Sequence, residues 1–211
     1  MRAVQTMILA MAKMQDTYNQ QVHPQWDQQN YEYYRAIWVE CAELLDHFGW
    51  KWWKHQVPDY EQSKLEIIDI WHFGLSDLMR AGNISAEHID TQTLELIETG
   101  TVGEAGELRA TVEAHALATL GNRAFDVPTF FDMMRALPLS FEDLYSGYIG
   151  KNVLNTFRQD NGYKNGSYIK NWGGVEDNEH LVEISSDLDL HTENYAELLY
   201  AALNTRYQKL Q

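Results

Sequence analysis

WVECAELLDHFGWKWWK (38–54) and EIIDIWHF (66–73) decide how this chain folds. In the first stretch Trp38, Cys41, Leu44, Leu45 and Phe48 recur at three- and four-residue spacing, and Tyr34 and Ile37 extend the stripe upstream. That period predicts a helix, from a segment opening near Pro24–Trp26 to Gly49, a residue suited to a helix C-terminus. The second stretch lies in a helix predicted from about Tyr60 to Met79, with Leu65, Ile68, Trp71, Leu75 and Leu78 on one face. Ala81-Gly82-Asn83 breaks it, and Ser85 is expected to cap the next helix. Outward from this pair, Met7, Leu9, Met11 and Met14 mark an earlier helix. Residues 85–136 carry two or three more, divided by a loop at Thr99–Gly106. Ser140-Phe-Glu-Asp143 fits a capping box opening a helix that reaches Asp160. Asn161-Gly162 and Asn165-Gly166 are turns, and a last helix covers about Thr192 to Tyr207. No alternating run is long enough to require a strand. The expected fold is an all-α bundle, one domain over residues 1–211, in which residues 81–140 form a lid, an outer layer or a dimer contact.

Each of the two deciding stretches carries a pair of acids. Glu40 and Glu43 read E-x-x-E; Glu66 and Asp69 read E-x-x-D. Residues three apart share a helix face. Glu43 lies about one and a half turns before the break and Glu66 about one and a half turns after it, so an antiparallel pair brings all four to one height. Four converging carboxylates repel unless a cation sits among them. Oxygen donors without an accompanying Cys/His set favour Mg²⁺, with Mn²⁺ as the alternative, over Zn²⁺. The antiparallel pair is thereby a candidate metal-binding pair, and such a metal group can clamp a phosphate chain and activate water. The competing reading is a solvated acidic face. The apolar neighbours Trp38, Val39, Leu44 and Leu45, and Ile67, Ile68, Ile70 and Trp71, argue against it by embedding the acids in helices buried on several sides.

Charge narrows the function. The 211 residues hold 16 basic and 31 acidic side chains, a formal −15. Such a field disfavours nucleic-acid polymers and anionic membranes. One cysteine, Cys41, rules out an internal disulfide framework, and the absence of a long apolar run or a leader-like N-terminus predicts a cytoplasmic protein. Residues 151–170 reverse the trend: Lys151, Arg158, Lys164 and Lys170 against Asp160 give +3. Lys151, Asn155 and Arg158 form one helical stripe suited to a polyphosphate, unless the stripe pairs with acids elsewhere. Trp50, Trp52 and Trp53 are candidates for stacking on a base, with core packing the expected role of two of them. Gln15 and Asn19, four apart, can read a base edge or simply face water. The eight histidines show no ligand spacing; His72 is the one near the acids and reads as a supporting or core residue. Cys41 reads as a small buried residue.

Taken together, MQDTYN (14–19), WVECAELLDHFGWKWWK (38–54), EIIDIWHF (66–73) and YIGKNVLNTFRQDNGYKNGSYIKNW (148–172) resemble the dimeric, all-α dUTPase family, relatives of the MazG-type nucleotide pyrophosphatases. The resemblance implies Mg²⁺-dependent hydrolysis of dUTP to dUMP and pyrophosphate, and of dUDP, by a metal-activated water, in a homodimer. It implies that Glu40, Glu43, Glu66 and Asp69 are the metal ligands and that Gln15, Asn19 and Trp52 (or its neighbour Trp53) hold the base. It assigns Lys151, Asn155, Arg158, Tyr163 and Lys164 to sugar and phosphates. Relatives acting on dCTP keep that nucleotide, or another or modified one, as an alternative substrate. A non-catalytic helical interaction protein is the alternative of a different class.

Overall fold

The computed structural model describes residues 2–192 and 194–210, and the chain divides into two compact units, residues 1–144 and 145–211. The architecture is all-α. The first unit holds α1 (Arg2–Val22), α2 (Tyr33–Phe48), α3 (Tyr60–Arg80), α4 (Thr91–Gly100), α5 (Leu108–Asn122), α6 (Val127–Ala136) and the first turn of α7 (Phe141–Asp160). Among the described residues, no helix is long and apolar enough to cross a membrane.

Local chemistry sets most of these boundaries. Asp59, Asp90, Glu107 and Asp126 each accept a hydrogen bond from the backbone N–H three residues on, capping α3, α4, α5 and α6. At α7 the capping box is reciprocal: Asp143 N donates to Ser140 Oγ and Ser140 N to Asp143 Oδ2, both at 3.0 Å. Three expectations need correction. Helix α2 starts at Tyr33, because Trp26–Gln28 form a separate 3-10 turn whose indole is buried and donates to Asp16. Ser85 caps no helix; its Oγ accepts from His88 N within a turn, and Asp90 caps α4 instead. Leu65 is exposed, since the buried face of α3 runs through Ile67, Ile70, Trp71, Gly74 and Leu78.

The core of this unit centres on Trp71, fully buried and stacked on Phe130 at 5.3 Å, with Phe125 edge-on at 5.9 Å. Gly74 makes that packing feasible: a Cβ there would lie 2.4 Å from Phe125 Cδ2. Gly74→Ala is therefore expected to force Phe125 off Trp71 and to destabilise by about 1–3 kcal/mol, read as a lower urea midpoint at unchanged slope.

The second unit contains the remainder of α7, a hairpin of β1 (Asn171–Trp172) and β2 (Val175–Glu176), then α8 (Asp177–Ser186) and α9 (Tyr195–Leu210). The hairpin pairs Asn171 with Glu176 and Trp172 with Val175 across Gly173-Gly174, whose φ values of 62° and 96° suit the tightest hairpin turn. Two-residue strands are too short to show alternation, which is why the sequence predicts none. Helix α8 also goes unpredicted; its composition is polar, and its buried residues are Asp177, His180 and Ile184. Phe157, Trp172 and Tyr207 form the aromatic core, with centroid separations of 5.7, 5.4 and 4.9 Å.

Candidate active site

Helices α2 and α3 are antiparallel. Phe48 meets Tyr60 at a ring separation of 5.8 Å, His47 meets Glu66 at 3.3 Å, and Tyr33 at the far end bonds Ser76. The partner's number rises as the first falls. Asp59 N donates to the His47 carbonyl, closing the connecting loop against the end of α2. This geometry brings Glu40, Glu43 and Glu66 together, with one carboxylate oxygen of each within 4.8 Å of the others. Glu66 is buried, Glu40 half-buried and Glu43 exposed. Asp69 stands outside that closest trio, yet its charge acts on Glu40.

The electrostatics report the crowding. Burial, a hydrogen bond with Glu66, and the charges of Asp69, Glu43 and Glu66 push the Glu40 carboxyl up to about 7. The clustered oxygen donors can hold a divalent cation. One correction concerns histidine. His47 Nε2 sits 3.3 Å from Glu66 Oε1, so an imidazole does accompany the acids. Its signal was present in the sequence, since Glu40, Glu43 and His47 lie on one α2 stripe.

A stability consequence follows for the metal-free protein. The folded chain keeps the Glu40 proton between its ordinary value near 4.5 and about 7, whereas the unfolded chain has released it. Stability contributed at this site therefore falls as pH rises through that window. Half-exposure lets water screen much of the repulsion, leaving about 1 kcal/mol, or about 2–4 °C in Tm. The expected result is a smaller Tm loss between pH 5 and 8 in Glu40→Gln than in the parent, with chelator present.

Gln15 and Asn19 are buried at 3% and 7% exposure, not facing bulk water. Gln15 Nε2 donates to Asn19 Oδ1, Asn19 Nδ2 donates to Ser76 Oγ, and His72 Nδ1 meets Gln15 Oε1, each at 3.0 Å. His72 thus contacts Gln15. Cys41 is buried, and desolvation raises its thiol to about 12, which leaves it inert.

The indoles overturn two expectations. Trp50, Trp52 and Trp53 are all exposed, Trp52 at 90%, so none of them packs in the core. They lean on one another edge-to-face at 5.2 and 5.4 Å, in a loop whose first turn is fixed by Gln56 Oε1 accepting from Trp50 N and Lys51 N. Arg109 secures the base of that loop. Its guanidinium lies 4.8 Å over Phe48, and Nε donates to the Gly49 carbonyl at 2.7 Å. Trp38 and Val39 are likewise exposed, each at 44%, so α2 is not buried on several sides.

In the second unit, Lys151, Asn155 and Arg158 lie along α7, and Tyr163 and Lys164 on a 3-10 turn. The Arg158 fork is already engaged: Nε and Nη2 each donate to the buried Asp177 carboxylate at 2.8 Å, and Nη2 also reaches Asn178. Tyr168 donates to the same carboxylate at 2.8 Å. The sequence could not supply Asp177, which stands 19 residues beyond its partner.

No curated protein matches the chain. A family model described as dUTPase matches residues 7–163. That span runs from α1 through α7 and takes in the acids, the amides and the indole loop. A helical fold carrying these residues across about three quarters of the sequence places the chain in the all-α dUTPase family, and its enzymatic activity is that of a dUTP diphosphatase.

Proposed function

We propose that the chain hydrolyses dUTP to dUMP and pyrophosphate, and dUDP to dUMP and phosphate, with Mg²⁺ held by Glu40, Glu43, Glu66 and Asp69. The observation carrying this reading is the convergence of three carboxylates within 4.8 Å, one of them raised to about 7 by burial and by its neighbours. Bound there, Mg²⁺ or Mn²⁺ would neutralise the phosphate chain and lower the pKa of water. Glu66, buried and bonded by His47, is positioned more rigidly than exposed Glu43. Gln15 and Asn19 read the base, and the solvent-facing Trp52 stacks on it. Lys151, Asn155, Arg158, Tyr163 and Lys164 are assigned to sugar and phosphates, Arg158 oriented for this by Asp177. The whole of residues 1–211 acts as one nucleotide pyrophosphatase, supported by a family match that crosses from the first unit into the second. The exposed Trp38 and Val39 support a homodimer, and the protein works in the cytoplasm on free nucleotide.

The test is pyrophosphate release from each deoxynucleoside triphosphate with Mg²⁺ present. Turnover of dUTP is expected. Turnover of dCTP or a modified nucleotide in its place moves the substrate while keeping the metal core, and inactivity on all of them defeats the proposal. Sedimentation at micromolar concentration reads the dimer.

A further inference from the structure

We propose that His72 and Ser76 are specificity-determining positioning residues: they lock the Gln15 and Asn19 amides in the one orientation that separates uracil from cytosine. The inference rests on the reading that these amides face the base.

A single backbone atom sets the direction of the whole chain of bonds. Ser76 Oγ donates to the His72 carbonyl at 3.1 Å, and a carbonyl can only accept. Having spent its one proton, Ser76 Oγ can only accept from Asn19, so Asn19 must point Nδ2 at it, at 3.0 Å. Asn19 Oδ1 is thereby turned to Gln15 and accepts from Nε2 at 3.0 Å. Gln15 Oε1 is left facing His72 Nδ1 at 3.0 Å, and that nitrogen must carry the imidazole proton. Reversing either amide would set two donors or two acceptors face to face. Ser76, Gln15 and Asn19 are 1%, 3% and 7% exposed, so water cannot relieve the mismatch.

Uracil and cytosine present opposite patterns. Uracil offers an N3–H donor and an O4 acceptor; cytosine offers an N3 acceptor and an N4 amino donor. An amide free to rotate serves both, because its oxygen and nitrogen exchange places. A locked amide serves one. Asn19 spends one N–H and one oxygen lone pair on the network, keeping one of each, the pair that an O4/N3–H edge needs. The dUTP diphosphatase activity of the family identifies uracil as the base read by the observed orientation.

The first measurement needs no turnover. Long-range ¹H–¹⁵N correlation on the full chain should show His72 protonated at Nδ1; a ring protonated at Nε2 alone overturns the proposal. The second is the ratio of kcat/KM for dUTP over dCTP. The parent should favour dUTP by on the order of 10⁴-fold, as expected of a buried hydrogen-bonding site. Ser76→Ala and His72→Leu should lower that ratio by about tenfold or more. His72→Asn, which keeps a donor where Nδ1 stood, should hold it within about threefold. A parent enzyme that uses both nucleotides equally overturns the proposal and leaves the pyrophosphatase reading standing. Variants that lose dUTP turnover at an unchanged ratio show a merely structural role and overturn it too. A folded parent inactive on both nucleotides defeats the functional reading itself, and the proposal with it.

Discussion

Glu43→Gln and Asp69→Asn are expected to cut turnover of dUTP by at least about 10²–10³-fold while leaving the helical fold intact. Each replacement keeps the shape of the side chain and removes an anionic oxygen, the hard donor that a divalent cation requires. Glu43 is exposed and Asp69 half-buried, so neither substitution opens a cavity. Because burial, the hydrogen bond with Glu66 and the charges of Asp69 and Glu43 together raise the Glu40 carboxyl to about 7, removing one of those charges should leave the metal-free protein equally or more stable. The expected signature is therefore opposed: activity and Mg²⁺ binding by calorimetry collapse, and Tm in chelator holds or rises. Retained turnover would remove the substituted residue from the metal set.

Asp177→Ala is expected to have the largest effect on stability. The carboxylate has no exposed surface and accepts three bonds, two from the Arg158 fork and one from Tyr168. Burial raises its pKa, but the Arg158 and Tyr168 bonds outweigh that and hold it below the ordinary carboxylate value. Truncation leaves a largely buried guanidinium without its counter-charge, which costs about 3–5 kcal/mol. Urea unfolding followed by aromatic fluorescence reads this directly, since Phe157 and Trp172 pack around the same helix. In the parent, this stabilisation is present at neutral pH and is lost as acid carries the solution below the ordinary carboxylate range. A loss of under about 1 kcal/mol would show that the pair merely offsets its own desolvation.

Most of the helical framework was legible because its causes are local. Three- and four-residue spacing marks α2 and α3, the Ser140–Asp143 box marks α7, and Gly49 at φ 94° marks the end of α2. The same spacing let the acids be matched across the antiparallel pair before any coordinates, and Glu40, Glu43 and Glu66 converge accordingly. What periodicity conveys is which residues share a face. Whether another element covers that face is a separate matter, and so Leu65, Trp38 and Val39 are exposed despite their apolar spacing. The three indoles fail as core residues for a related reason: the loop turns on Gln56, which points their rings outward.

The sequence by itself determined an all-α chain with an acid pair on each of two successive helices and the family to which it belongs, since those rest on spacings of three to seven residues and on contiguous motifs. The tertiary structure decided the partners. Glu66 meets His47, Arg158 meets Asp177, and Gln15 meets an imidazole 57 residues away. Such pairings depend on which helix faces come into contact. Burial of Gln15 then restricts the direction of its hydrogen bonds, because without water a reversed amide has no alternative partner.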